Sequence, residues 1–113
     1  MNLLWRVVER WPKVGLAKFA MKDESGVCAM GILNLIQNGD AHRNLIDHEH
    51  MTAMRLMSEV GVEQFPDRAD WDFGRSTIVL INNHQDTTLS DMVAIAEKAA
   101  IKWDEATFGE GKS

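Results

Sequence analysis

Leu89, Met92, Val93, Ala96, Ala100 and Trp103 recur every three or four residues, and this stripe constrains the fold more than any other feature of the chain. Apolar positions at that spacing share one face of a helix, so the stripe predicts a long amphipathic helix that must find apolar surface to cover it. Thr88 precedes it and Asp91 follows three residues on, the spacing at which a hydroxyl and a carboxylate satisfy the open N–H groups of a helix start. With 113 residues the chain builds one core, and the cover must come from its own remaining helices. The expected architecture is mainly α: a compact single domain of four to five helices over residues 1–106, with room for a short β-pair and a frayed tail at 107–113.

Upstream, Leu3, Leu4, Val7, Val8 and Trp11 predict a first helix over 2–11, stopped by Pro12. The stretch 16–21 alternates in a way that suits a short strand, yet its Ala and Lys content does not. A second helix is expected from Ser25 or Gly26 to Gln37, closed by Asn38-Gly39. Its first half is apolar almost all round, which places it centrally, and Gly31 in its interior costs about 1 kcal/mol against Ala, implying close approach of another backbone. Asp47 caps a third helix carrying Met51, Met54, Met57 and Val60 and ending at Gly61. These methionines read first as core and second as an adaptable binding surface. Residues 62–74 form a loop pinned by Phe65, Trp71 and Phe73. The apolar run 76–83 fits either a short buried helix or a strand, and as a strand Ile78–Ile81 would pair with Leu16–Met21.

Composition narrows function. Hydrophobic residues make up 45% and charged residues 26%, too interrupted by charge for a membrane span. The net charge of −5 argues against direct binding to nucleic acid. One cysteine, Cys28, and an N-terminal stretch without the apolar run of a signal peptide suggest the cytoplasm. Charge is uneven: Arg6, Arg10, Lys13, Lys18 and Lys22 stand near the N-terminus against Glu9 alone, whereas Glu59, Glu63, Asp67, Asp70 and Asp72 cluster against Arg68. Each run is expected as an ordinary solvated face. The alternative is that Glu63, Asp67, Asp70, Trp71 and Asp72 meet a partner, even as an acidic decoy of nucleic acid. Four tryptophans and seven methionines also leave room for a homo-oligomer.

Three constellations carry potential chemistry. Cys28, near a helix start, is a packed thiol by composition and a nucleophile only if a histidine such as His84 reaches it. His42, His48 and His50 offer metal ligands, but His48 and His50 point about 200° apart on a helix, and an exposed capping region is the simpler reading. Asn82, Asn83, His84 and Thr88 form a polar turn before the last helix; its ordinary work is to satisfy that helix's open donors, and its alternative is to hold a small anion. No nucleotide-binding, dinucleotide, serine-triad or metalloprotease motif is present in the sequence, and no cofactor is expected.

Trp11, the run Gly26-Val27-Cys28-Ala29-Met30-Gly31, the pair Asn82-Asn83, and Thr88 followed by Met92 and Val93 together form a pattern. Over roughly residues 3–103 it resembles a family of short actinobacterial and actinobacteriophage proteins grouped as a domain of unknown function. The chain departs from that family by Ile81-Asn82-Asn83 in place of Trp-Asn-Asp and by Ile32 in place of a small residue. The resemblance implies a small phage-related accessory protein that binds a host or phage macromolecule without catalysis, in the host cytoplasm. The alternative is a small enzyme or ligand-binding protein using Cys28 with a histidine, or the turn from Asn82 to Thr88.

Overall fold

The structure is a computed structural model that describes residues 1–44, 46–68 and 77–111, with side chains described up to Thr107 in the last stretch. Helix α1 (Leu3–Val14) starts where Asn2 accepts the Leu4 N–H at 3.0 Å, so Asn2 is a cap rather than a first helical residue. Pro12 does not stop it. The proline is exposed in the last turn, so its missing donor falls on the solvent side, and the helix ends instead at Gly15, whose φ of 97° takes the chain out of the helix.

Strands β1 (Lys22–Asp23) and β2 (Gly26–Val27) form a small antiparallel hairpin, with an isolated bridge from Leu16 to Val27. The Asp23 carboxylate accepts the Ser25 N–H at 2.7 Å and sets the turn. The β-pair expected between Leu16–Met21 and Ile78–Ile81 therefore does not exist; the short run 77–83 is helical, where Ile78, Ile81 and Asn82 share the buried face. Because Gly26 and Val27 belong to the hairpin, α2 (Ala29–Asn38) begins later than expected, with Cys28 as its cap, and closes on left-handed Gly39.

Helix α3 (His48–Gln64) is capped by Asp47, which accepts the His50 N–H at 2.9 Å. It runs through Gly61 instead of ending there. Gly61 is buried, and a Cβ on it would come within 2.5 Å of Ile81 Cδ1, so this glycine serves the crossing of α3 with α4 (Thr77–Asn83). Met54, Met57 and Val60 are core, but Met51 faces water at 61% exposure. A single 3-10 turn, Pro66–Arg68, follows α3, and Phe65 before it is half-buried with the Arg68 guanidinium 4.3 Å above its ring. Trp71 and Phe73 lie outside the described residues.

Helix α5 (Leu89–Gly111) opens on the expected reciprocal cap, Asp91 N–H to Thr88 Oγ1 at 3.2 Å and Thr88 N–H to Asp91 Oδ2 at 3.1 Å. Its backbone stays helical into the stretch expected as a tail. Met92, Ile95, Ala96, Ala99 and Ala100 are fully buried, the alanines letting α1 and α3 approach α5 closely. Asp104 locks the first helix to the last by accepting Trp5 Nε1–H at 2.8 Å and Asn2 Nδ2–H at 2.9 Å. The radius of gyration, 13.3 Å, is that of one folded domain of this length, about 13 Å. Among the described residues no helix is long and apolar enough to cross a membrane.

Candidate functional site

Trp11, the run Gly26–Gly31 and the pair Asn82-Asn83 meet at one node between the end of α1, the hairpin, the start of α2 and the end of α4, whereas Thr88, Met92 and Val93 belong to α5. Trp11, fully buried, donates its indole N–H to Val27 O at 3.1 Å, and Ala17 N–H reaches the same oxygen at 3.1 Å. Val27 N–H returns to Gly15 O at 3.1 Å. Gly15 and Gly26 lie backbone against backbone, both with positive φ; a Cβ on either would fall on the other segment's main chain. Gly31 makes the close approach its sequence position implied, for a Cβ there would collide with Met21 O, the carbonyl that accepts the Cys28 N–H at 3.2 Å.

Asn82 fastens the node to α4. It is 1% exposed; its Oδ1 accepts Ala29 N–H at 2.9 Å, and its Nδ2 donates to Ala17 O at 3.0 Å and to Asn83 Oδ1 at 3.2 Å. Asn83 Oδ1 also accepts the Phe19 N–H at 2.8 Å. Only the acceptor of Asn83 is engaged, so a carboxylate at this position could accept the same two bonds. Lys18 closes the set, its ammonium donating to His84 O at 2.5 Å and Gln85 O at 3.2 Å, where a cation suits the carbonyl end of α4.

The segment Leu16–Met21 is thereby tied down along its length, and it lifts Phe19 out. Phe19 is 82% exposed with φ 61°, a left-handed conformation that a bulky residue adopts at a cost of about 1–2 kcal/mol. Beside it opens an apolar cavity of about 170 Å³ lined by Met21, Cys28, Met30 and Val79. No sequence expectation singled out Phe19, and Lys18 was expected only as part of a solvated basic face, not on the carbonyls after α4. The only signal was the misfit of 16–21 with both helix and strand ahead of a polar turn.

The sequence-derived candidates fall differently. Cys28 Sγ accepts the Gly31 N–H at 3.3 Å and lies 3.8 Å from Met21 Sδ; no histidine is among its hydrogen-bond partners, and His84 Nδ1 instead accepts the Asp86 N–H at 3.1 Å. Asn82 and Thr88 are engaged in hydrogen bonds of the fold, whereas Asn83 engages only its acceptor there; both asparagines also border the cavity beside Phe19. His42 and His48 are exposed, whereas His50 is buried; Gln37 donates its Nε2–H to Asp47 Oδ1 at 3.0 Å, and its Oε1 faces His50 Nδ1 at 3.3 Å. Burial holds the His50 pKa below its ordinary value against the opposing pull of Asp47. Among the described residues no three His, Cys, Asp or Glu side chains converge as metal ligands. Of the acidic group, Glu63 pairs with Lys102 at 2.9 Å, Asp67 is exposed in the 3-10 turn, and Asp70, Trp71 and Asp72 lie outside the described residues.

The chain matches no protein-family description, no curated protein and no solved structure.

Proposed function

We propose that this chain is a noncatalytic binding protein that engages a partner protein through the loop Leu16–Met21, in the accessory role implied by the phage-linked family it resembles. The observation that carries the reading is Phe19: a large apolar ring held in water, in a costly backbone conformation, by hydrogen bonds of its loop with buried Asn82, half-buried Asn83 and the carbonyls that Lys18 reaches. A ring released from water on binding contributes about 1.5–3 kcal/mol, and a loop already fixed loses little further entropy when it docks. An exposed aromatic beside an apolar recess has the form of an interface anchor, to which a partner adds a side chain for the recess and a rim around it. The partner is a host or phage protein.

The test compares capture of partner by the wild-type chain, by Phe19→Ser and by Ile101→Ser, the latter removing another exposed apolar residue on α5. A partner lost with Phe19→Ser and kept with Ile101→Ser, at equal melting temperature, supports the reading. Equal capture by all three chains removes it.

A further inference from the structure

We infer that the groove between α1 and α2 is a second contact surface, shaped for an acidic helix of a partner protein. Arg6, Arg10 and Lys13 are exposed on α1 at positions i, i+4 and i+7, which places them on one face over a rise of about 10 Å. With Glu9 and Ile36 they line a depression of about 300 Å³. None of the three cations forms an ion pair or a side-chain hydrogen bond among the described residues. Arg55, Arg68 and Lys102, by contrast, pair with Glu59, Asp91 and Glu63. Acids are plentiful in the chain, 17 against 12 basic residues, yet only Glu9 stands on this face.

Charge complementarity identifies the occupant. A partner helix with carboxylates at i, i+4 and i+7 presents them at the same rise as the three cations, and a single apolar residue between them rests on half-buried Ile36. A nucleic-acid backbone fits less well. Glu9 interrupts the stripe, Ile36 offers a phosphate no partner, and the net charge of −5 repels a long polyanion that runs on over the rest of the molecule. This surface is lined by none of the residues that surround the cavity beside Phe19, so it stands independently of the loop's role.

The experiment follows amide and methyl resonances of the isotope-labelled full chain during titration with a helical peptide of about 15 residues carrying Glu at i, i+4 and i+7 around one Leu. A second titration uses the same peptide with Lys for Glu, and a third uses a short DNA duplex. The Glu peptide is expected to move resonances of Arg6, Arg10, Lys13 and Ile36 and to leave Phe19 unmoved. Its affinity should fall about tenfold or more in Arg10→Glu, with unchanged melting temperature, and fall again from about 50 to 300 mM salt. Absence of shifts, shifts scattered over the surface, or indifference to Arg10→Glu overturns the inference. Stronger perturbation of the same face by the duplex overturns it in favour of nucleic acid.

Discussion

Replacing Asn82 by Ala is the sharpest perturbation of the node. The side chain satisfies two main-chain groups that have no other partner among the described residues, Ala29 N–H and Ala17 O, and both residues are buried. Leaving each unsatisfied costs about 1–3 kcal/mol, and the small void adds to that, so the loss is about 3–5 kcal/mol. In a domain of this size this lowers Tm by roughly 10–20 °C. Chemical denaturation read by tryptophan fluorescence is suitable, since Trp11 is buried in the same node and bonds to Val27. The control is Asn83→Ala, which removes the acceptor shared by the exposed Phe19 N–H and Asn82 Nδ2 but leaves Ala29 N–H and Ala17 O satisfied, and should cost about 1–2 kcal/mol. The reasoning fails if Asn82→Ala costs under about 1 kcal/mol, or if the two asparagines cost the same.

Further outcomes are expected. Gly31→Ala should destabilise by about 2 kcal/mol or more although Ala favours helices, because Met21 O is main chain and cannot swing aside; a gain in Tm would contradict the close approach. Thr88→Ala should cost about 1 kcal/mol by opening the reciprocal cap of α5, measured by urea denaturation. The folded state disfavours protonated His50, so stability should be full above the unfolded value of 6.5 and decline as pH falls through the lower folded value. That decline should vanish in His50→Gln. A separate loss should remain as pH drops below 3.8. There burial pushes Asp91 up, but the Thr88 N–H and Arg68 outweigh it and hold the carboxyl low, while at Asp47 the His50 N–H and Gln37 do the same.

The sequence spoke clearly wherever a side chain's partner lies within a helix turn. Thr88 with Asp91, Asp47 as a cap, Gly39 as a left-handed end and the stripe of α5 are local devices, and each stands where periodicity and capping rules put it. Gly31 was legible because a glycine inside an apolar helix has few other reasons to be there. Gly61 shows the limit of that logic, for a glycine at the edge of a stripe marks an end or a crossing with equal ease, and only Ile81 decides. Pro12 was misread because the rule concerns helix interiors and the residue sits on the solvent side of a last turn. The Phe19 loop was hidden for a different reason. Its shape depends on bonds to Asn82, Asn83 and the carbonyls after α4, more than sixty residues away, and no local pattern encodes such partners.

The seam between α1 and α5 bears on how the chain is made. Asp104 must be present before Trp5 and Asn2 find their partner, and the apolar face of Leu3, Leu4, Val7 and Trp11 has α5 as its principal cover. A ribosome adding roughly 5–20 residues per second takes several seconds to travel from α1 to Asp104, whereas helix formation needs about a microsecond. During that interval the first helix can already meet β2, α2 and α3, with Trp11 bonding to Val27, but the seam that α5 covers stays open. The last step of closure therefore waits for α5, and the hydrogen bonds of Asp104 to Trp5 and Asn2 form only then.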